Sequence, residues 1–134
     1  MKPPPAVDTR FFLALFLAES SPVKEKTRRK AEQLEAQRAL VPTMVLHEVY
    51  KFEHENLGAD VAALRVDSII KSNFRIVELD APIALSSARL RCSYRDLPTA
   101  DSIIAATATE LKSNTVISDD PHFKQIKGIN VEWI

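Results

Sequence analysis

The chain has 134 residues, 46% of them hydrophobic and 27% charged, with 18 acidic side chains balancing 18 basic ones. That length supports a single domain whose core needs no disulfides, and the lone Cys92 excludes an intramolecular one and fits a reducing cytosol. Zero net charge excludes a global basic field, so any nucleic-acid contact must run through local patches or a cation shared with phosphate.

At the N-terminus Lys2 is followed by three prolines, and Phe11–Ala18 is too short to span a bilayer. Neither a secretion signal nor a membrane segment is expected, and a cytoplasmic location is. Pro3–Pro5 lead into a short strand, Ala6–Asp8. Thr9 is placed to cap a helix over Arg10–Glu19, with Phe11, Leu15 and Ala18 on its apolar face. Ser20-Ser21-Pro22 reads as a break and a new helix start, opening a very polar helix that runs to about Arg38. Ala39–Val41 reads as a short buried strand. Thr43 then caps a helix carrying Met44, Val45, Val49 and Phe52, which stops at Gly58.

A further helix covers Ala59–Ser72, with Ala63, Val66, Ile69 and Ile70 apolar, and Phe74–Leu79 is a strand rich in β-branched residues. Asp80 caps a helix with Pro82 in its first turn, ending near Ser93, and Thr99 caps another over Ala100–Lys112. Thr115–Ser118 and Ile129–Ile134 are the last strands. Strands alternating with helices predict an α/β layer fold with a mostly parallel sheet. In such sheets ligands bind beyond the carboxyl ends of the strands, where both Asp8 and Asp120 fall.

Four acids stand where a globular domain does not favour a negative charge. Asp8 ends an apolar run, and strands disfavour Asp. Glu48 falls between Met44 and Phe52 on its helix, with Val45 and Val49 beside it. Asp101 heads the stripe of Ile104, Ala105 and Ala108, although an Asp in a first turn also suits the helix dipole. Asp120 follows a strand and precedes Pro121, a pairing that equally describes a helix cap. Asp80 reads as a cap, and Glu32, Glu35, Glu53, Glu55, Glu110 and Glu132 as solvated-face residues. Burying unpaired carboxylates costs several kcal/mol or more, so several pointing inward call for a cation. With one Cys and three His, a hard cation such as Mg²⁺ or Mn²⁺ is the expected one.

These residues resemble, over essentially the full length, the PIN-domain nucleases, and among them the VapC-like toxins of prokaryotic toxin–antitoxin pairs. Val7-Asp8-Thr9 is similar to the family's opening strand-and-Asp motif, and Val41–Glu48 to the second motif, with its Glu on a helix. Leu97–Ala108, carrying Asp101, resembles the third and is the most specific of the set; Val116–Phe123 resembles the fourth, with Asp120 in its acidic position. Two departures stand out. Arg10 occupies a place where Asn or Ser is common, and Asp119, where Asn is common, adds a possible fifth carboxylate.

The resemblance implies a three-layer α/β/α fold, with about five strands in the sheet. It also implies that Asp8, Glu48, Asp101 and Asp120 hold one or two Mg²⁺ or Mn²⁺ ions for hydrolysis of RNA, single-stranded where sequence is read. Thr9, Arg10, Asp96, Ser118 and Asp119 are candidates for orienting those acids or touching phosphate, Asp96 equally as a cap. Two basic groups are candidate backbone contacts: Lys24, Lys26, Arg28, Arg29 and Lys30, whose plainer reading is a solvated helix face, and Arg89, Arg91 and Arg95. A homodimer and a cognate antitoxin are the implied protein partners. RNA-processing or RNA-decay PIN nucleases would carry the same acids, and a catalytically weak PIN-like interaction module is the rival from another class. A zinc hydrolase is disfavoured because His47-Glu48 is followed by Lys51 where H-E-x-x-H needs His. Gly-x-Ser-x-Gly is absent, which disfavours a serine hydrolase.

Overall fold

The computed structural model describes residues 2–17 and 20–134. Five parallel strands form one sheet in the order β3-β2-β1-β4-β5: β1 Ala6–Val7, β2 Leu40–Pro42, β3 Arg75–Val77, β4 Thr115–Ile117 and β5 Asn130–Glu132. Six α-helices connect them: α1 Thr9–Leu17, α2 Ser21–Ala36, α3 Thr43–Leu57, α4 Ala59–Lys71, α5 Ala81–Ser93 and α6 Thr99–Glu110. A short 3-10 helix, Pro121–Gln125, precedes β5. The chain builds outward from β1 to β3, then jumps back across the sheet to β4. Parallel crossovers are right-handed, so this reversal puts α1–α4 on one face and α5–α6 on the other, giving three α/β/α layers. The sheet is wholly parallel where a mostly parallel one was expected. Its strand order reverses between β1 and β4, the place where doubly wound sheets open a crevice.

The strands are shorter than the sequence suggested, Arg75–Val77 in place of Phe74–Leu79 and Asn130–Glu132 in place of Ile129–Ile134. The predicted end of α1 at Glu19, with Ala18 on its apolar face, lies outside the described residues. The three threonines expected as caps instead open their helices. Pro42 (φ −60°, ψ 143°) and Pro98 (φ −60°, ψ 150°) already have the extended backbone of a cap position, so Thr43 and Thr99 become first-turn residues. Asp80 does cap α5, accepting from the Ile83 N–H at 3.0 Å. Gly58, at φ 94°, ends α3 and begins α4 in a conformation that a side chain disfavours.

The core runs through β1, β2 and β4, with Phe11 and Phe12 of α1, Val45 and Val49 of α3, and Phe123 packed against it. On α4 the inward stripe is Ala62, Val66 and Ile69; of the apolar residues read from the sequence, Ala63 and Ile70 are exposed. Helix α6 is buried continuously from Asp101 to Ala108. Small side chains let it lie against β1, β2 and β4 with α5 outside it. Its hydroxyls bond internally: Ser102 donates to the Thr99 carbonyl (2.6 Å) and Thr107 to the Ile103 carbonyl (2.7 Å). The rigid placement of α6 is what holds Asp101.

Glu53 corrects the sequence reading outright. It continues the Val45–Val49 stripe one turn further, and its side chain is fully buried rather than solvated. Arg65 of α4 lies 3.4 Å from Glu53 Oε1, donates to the Phe16 carbonyl (3.2 Å) and stacks over the Phe16 ring. This cation joins α1, α3 and α4 and offsets part of the cost of burying Glu53, whose Oε2 has no hydrogen-bond partner among the described residues.

Candidate active site

Four segments bring acids to one cleft of about 320 Å³ at the carboxyl edge of the sheet. Asp8 follows β1, Glu48 lies one turn into α3, Asp101 opens α6 and Asp120 follows β4; all four line the cleft, with Thr9, Arg10, Leu13, Lys51, Phe52 and Glu55. Glu48 is only half buried, at the edge of its apolar stripe, whereas Asp8 and Asp101 are buried.

Two hydroxyls fix this constellation. Ser118 donates to Asp8 Oδ2 at 2.6 Å and accepts from the Asp120 N–H at 2.9 Å, so one side chain ties the ends of β1 and β4 together. Thr9 donates to Glu48 Oε1 at 2.6 Å across the α1–α3 junction. Its expected role as a cap is therefore replaced by a carboxylate contact. Asp120 also caps the 3-10 helix, accepting from the His122 N–H at 2.9 Å. The local cap reading and the site reading are both true of that residue.

Electrostatics sort the acids. Burial pushes the Asp101 carboxyl up to about 7, helped by repulsion from Asp120 and Asp8. Burial likewise raises Asp8 to about 6, against the opposing pull of the Ser118 hydrogen bond. For Asp120 burial acts upward too, but the His122 backbone and ring bonds outweigh it and hold the carboxyl below the usual range. Among the described residues Asp101 Oδ2 is buried without a hydrogen-bond partner. A raised carboxyl with an oxygen that lacks a hydrogen-bond partner, beside further carboxylates, is what a hard cation would satisfy; of the four acids Asp101 and Asp120 offer ligand atoms close enough to share one, with His122 beside them, while Asp8 and Glu48 line the same cleft.

His122 was not singled out in the sequence. Its Nδ1 lies 2.7 Å from Asp120 Oδ1 and 3.5 Å from Asp101 Oδ2, and one atom from each of these three residues falls within 4.8 Å of the others. The signal was available: a residue two places after a capping Asp has its backbone turned toward that carboxylate.

The remaining candidates divide. Arg10 Nε donates to Asp119 Oδ1, so the departure at position 10 is paired with the departure at position 119. Asp119 is thereby an exposed rim partner and lines no part of the cleft. Asp96 is exposed in the turn before α6, away from the cleft, and Pro98 holds the cap position that Asp96 was a candidate for. On α2, Arg28 pairs with Glu25 and Glu32 and Arg29 with Glu25, the pattern of a solvated helix face. Arg91 donates to the Leu97 carbonyl, and neither Arg89 nor Arg95 borders the acids. No helix among the described residues is long and apolar enough to cross a membrane.

No curated protein sequence matches the chain. Among solved structures, the VapBC2 complex of Rickettsia felis bound to a promoter DNA fragment is similar at TM-score 0.77 and 15% identity, over 95% of this chain and 96% of that one. The DNA-bound VapBC of Salmonella typhimurium gives TM-score 0.74 at 17% identity, over 95% of each chain. Mycobacterium tuberculosis VapC20, described as a sarcin–ricin loop cleaving toxin, gives 0.65 at 18% over 86% of this chain and 88% of that one. These likenesses show the fold. The PIN-domain family model matches residues 6–129, nearly the whole chain, and the protein belongs to the PIN-domain family.

Proposed function

We propose that the protein is a divalent-metal-dependent endoribonuclease acting as a VapC-like toxin. The observation that carries this reading is the convergence of Asp8, Glu48, Asp101 and Asp120 on one cleft, with a buried Asp101 oxygen that has no hydrogen-bond partner among the described residues. These four acids would hold one or two Mg²⁺ or Mn²⁺ ions. A cation held there supplies Lewis-acid polarisation of the phosphodiester and favours ionisation of an attacking water. Ser118 fixes Asp8 relative to Asp120, and Thr9 fixes Glu48, so the donors stand in place before substrate arrives. Arg10 and Lys51 stand at the rim, each already paired with an acid, Asp119 and Glu55, so a phosphate approaching the four acids depends on the cation they would hold. Attack by water breaks the bond between phosphorus and the 3′ oxygen, leaving a 5′-phosphate and a 3′-hydroxyl. The 2′-hydroxyl takes no part, so preference for RNA rests on the groove.

Three further features of the reading rest on the toxin likeness: a cognate antitoxin that covers the cleft, a homodimer, and action in the cytoplasm. The solved relatives are toxin–antitoxin complexes, which supports the first. The rival, a PIN fold kept only for protein binding, drew support from Arg10. That cation is paired with Asp119, and from the edge of the cleft it also helps to hold the Asp120 carboxyl below the usual range. Incubating the purified chain with mixed-sequence single-stranded RNA and Mg²⁺, Mn²⁺ or EDTA tests the reading. Cutting that needs metal and vanishes in Asp101→Asn is expected; cutting that persists in that variant or in EDTA refutes it.

A further inference from the structure

We propose that the outer face of α3 beside the cleft is a nucleobase-stacking subsite, centred on Tyr50 and His54, that receives an unpaired base of the RNA strand leaving the acids. The inference rests on the ribonuclease reading and adds to it the residues that grip the substrate.

Residues follow one another around α3 in an order that leads out of the cleft: Glu48, Glu55 and Lys51 first, then His47 and His54, then Tyr50. A second hollow, of about 460 Å³, is lined by His47, Tyr50, Lys51, His54 and Glu55. It shares Lys51 and Glu55 with the acidic cleft, so the two adjoin at that ion pair. The Tyr50 and His54 rings are stacked, 5.9 Å apart and 26° from parallel, with Tyr50 42% exposed. Stacking in the free protein holds both rings in place, so little side-chain freedom is left to lose on binding.

Nucleic-acid chemistry matches this layout. The cleft is acidic and engages phosphate through a cation, so its floor offers bases no flat apolar surface. Bases of single-stranded RNA stack on Tyr and His rings, each stack contributing roughly 1–3 kcal/mol whatever the sequence. The separation across α3 is about 10 Å, one helix diameter, within reach of a short stretch of extended strand. Lys51 stands between the two hollows, where its ammonium can exchange Glu55 for a backbone phosphate.

The test is steady-state cleavage of a single-stranded RNA by the native chain, Tyr50→Ala and Tyr50→Phe with Mg²⁺ or Mn²⁺, alongside the same RNA carrying single abasic positions. The expected result is a KM raised roughly 5- to 100-fold in Tyr50→Ala, an unchanged kcat, and recovery in Tyr50→Phe. One abasic position near the cut should raise the native KM and leave Tyr50→Ala unaffected. Native KM in Tyr50→Ala overturns the subsite while the ribonuclease reading stands. If the native chain cuts no RNA, the ribonuclease reading fails and the subsite with it. If Tyr50→Ala converts a dimer to a monomer by light scattering, and KM changes only with that conversion, the face is an interface between copies and the proposal is wrong.

Discussion

Asp101→Asn should stabilise the metal-free protein, and by an amount that depends on pH. The Asp101 side chain is 11% exposed, and its carboxyl titrates near 7 rather than 3.8. A folded value raised above the unfolded one means that stability is fully present below about pH 4 and is lost as pH rises through about 7. At 1.36 kcal/mol per pH unit, the full displacement corresponds to about 4 kcal/mol. The carboxyl borders the open cleft and shares its repulsion with Asp8 and Asp120, so about half of that is the expected effect. Asn copies the protonated form and removes this loss. Thermal denaturation in EDTA should therefore show the variant and the native chain melting together near pH 4, with the variant about 8 °C higher by about pH 8. Adding Mn²⁺ should close the gap from the native side, because a cation that binds only the folded state stabilises it. A variant less stable than native at the higher pH, or a difference that does not change with pH, would refute the reasoning.

Ser118→Ala cuts the link between Asp8 and Asp120 and should weaken divalent binding roughly 10- to 100-fold, the usual effect of losing a group that orients a metal-binding side chain. Ser118→Thr should keep native affinity in the same titration. Arg65→Ala should cost about 3 kcal/mol in urea denaturation, because it strands the buried Glu53 carboxylate. Adding Glu53→Gln to that variant should recover most of the loss; no recovery would mean that the pair does not act as a unit. Gly58→Ala should cost about 1–2 kcal/mol from its φ of 94° alone, since no atom lies within 4 Å of the added carbon. A neutral result by the same method would show that the α3–α4 turn can relax.

Much of the fold was legible because its signals are local. Asp80 caps its helix, Gly58 ends one, and alternating elements give an α/β sheet. The four acids were legible individually as charges in apolar settings, but their convergence depends on the strand order, which brings β1 beside β4 and so Asp8 beside Ser118. What stayed hidden depends on partners from distant segments. Glu53 sits on the same stripe as Val45 and Val49, yet a Glu at that position is buried only because Arg65 arrives from the next helix. Thr9 reads in the sequence both as a cap and as a candidate for orienting an acid, but which acid it meets, Glu48, depends on α1 lying against α3. His122 was passed over for a related reason: the Asp-Pro-His sequence explains itself as a helix start before any ligand is considered. Arg10 and Asp119 were two separate departures in the sequence and are one ion pair in the fold.

The central claim is that the acidic cleft is a divalent-cation site, and calorimetric titration of the metal-free chain with Mn²⁺ near neutral pH tests it most directly. The account predicts saturable binding of one or two ions with proton release from the raised Asp8 and Asp101 carboxyls, and affinity at least tenfold weaker in Glu48→Gln and Asp101→Asn. No saturable binding by the native chain, or the same affinity in both variants, would contradict it.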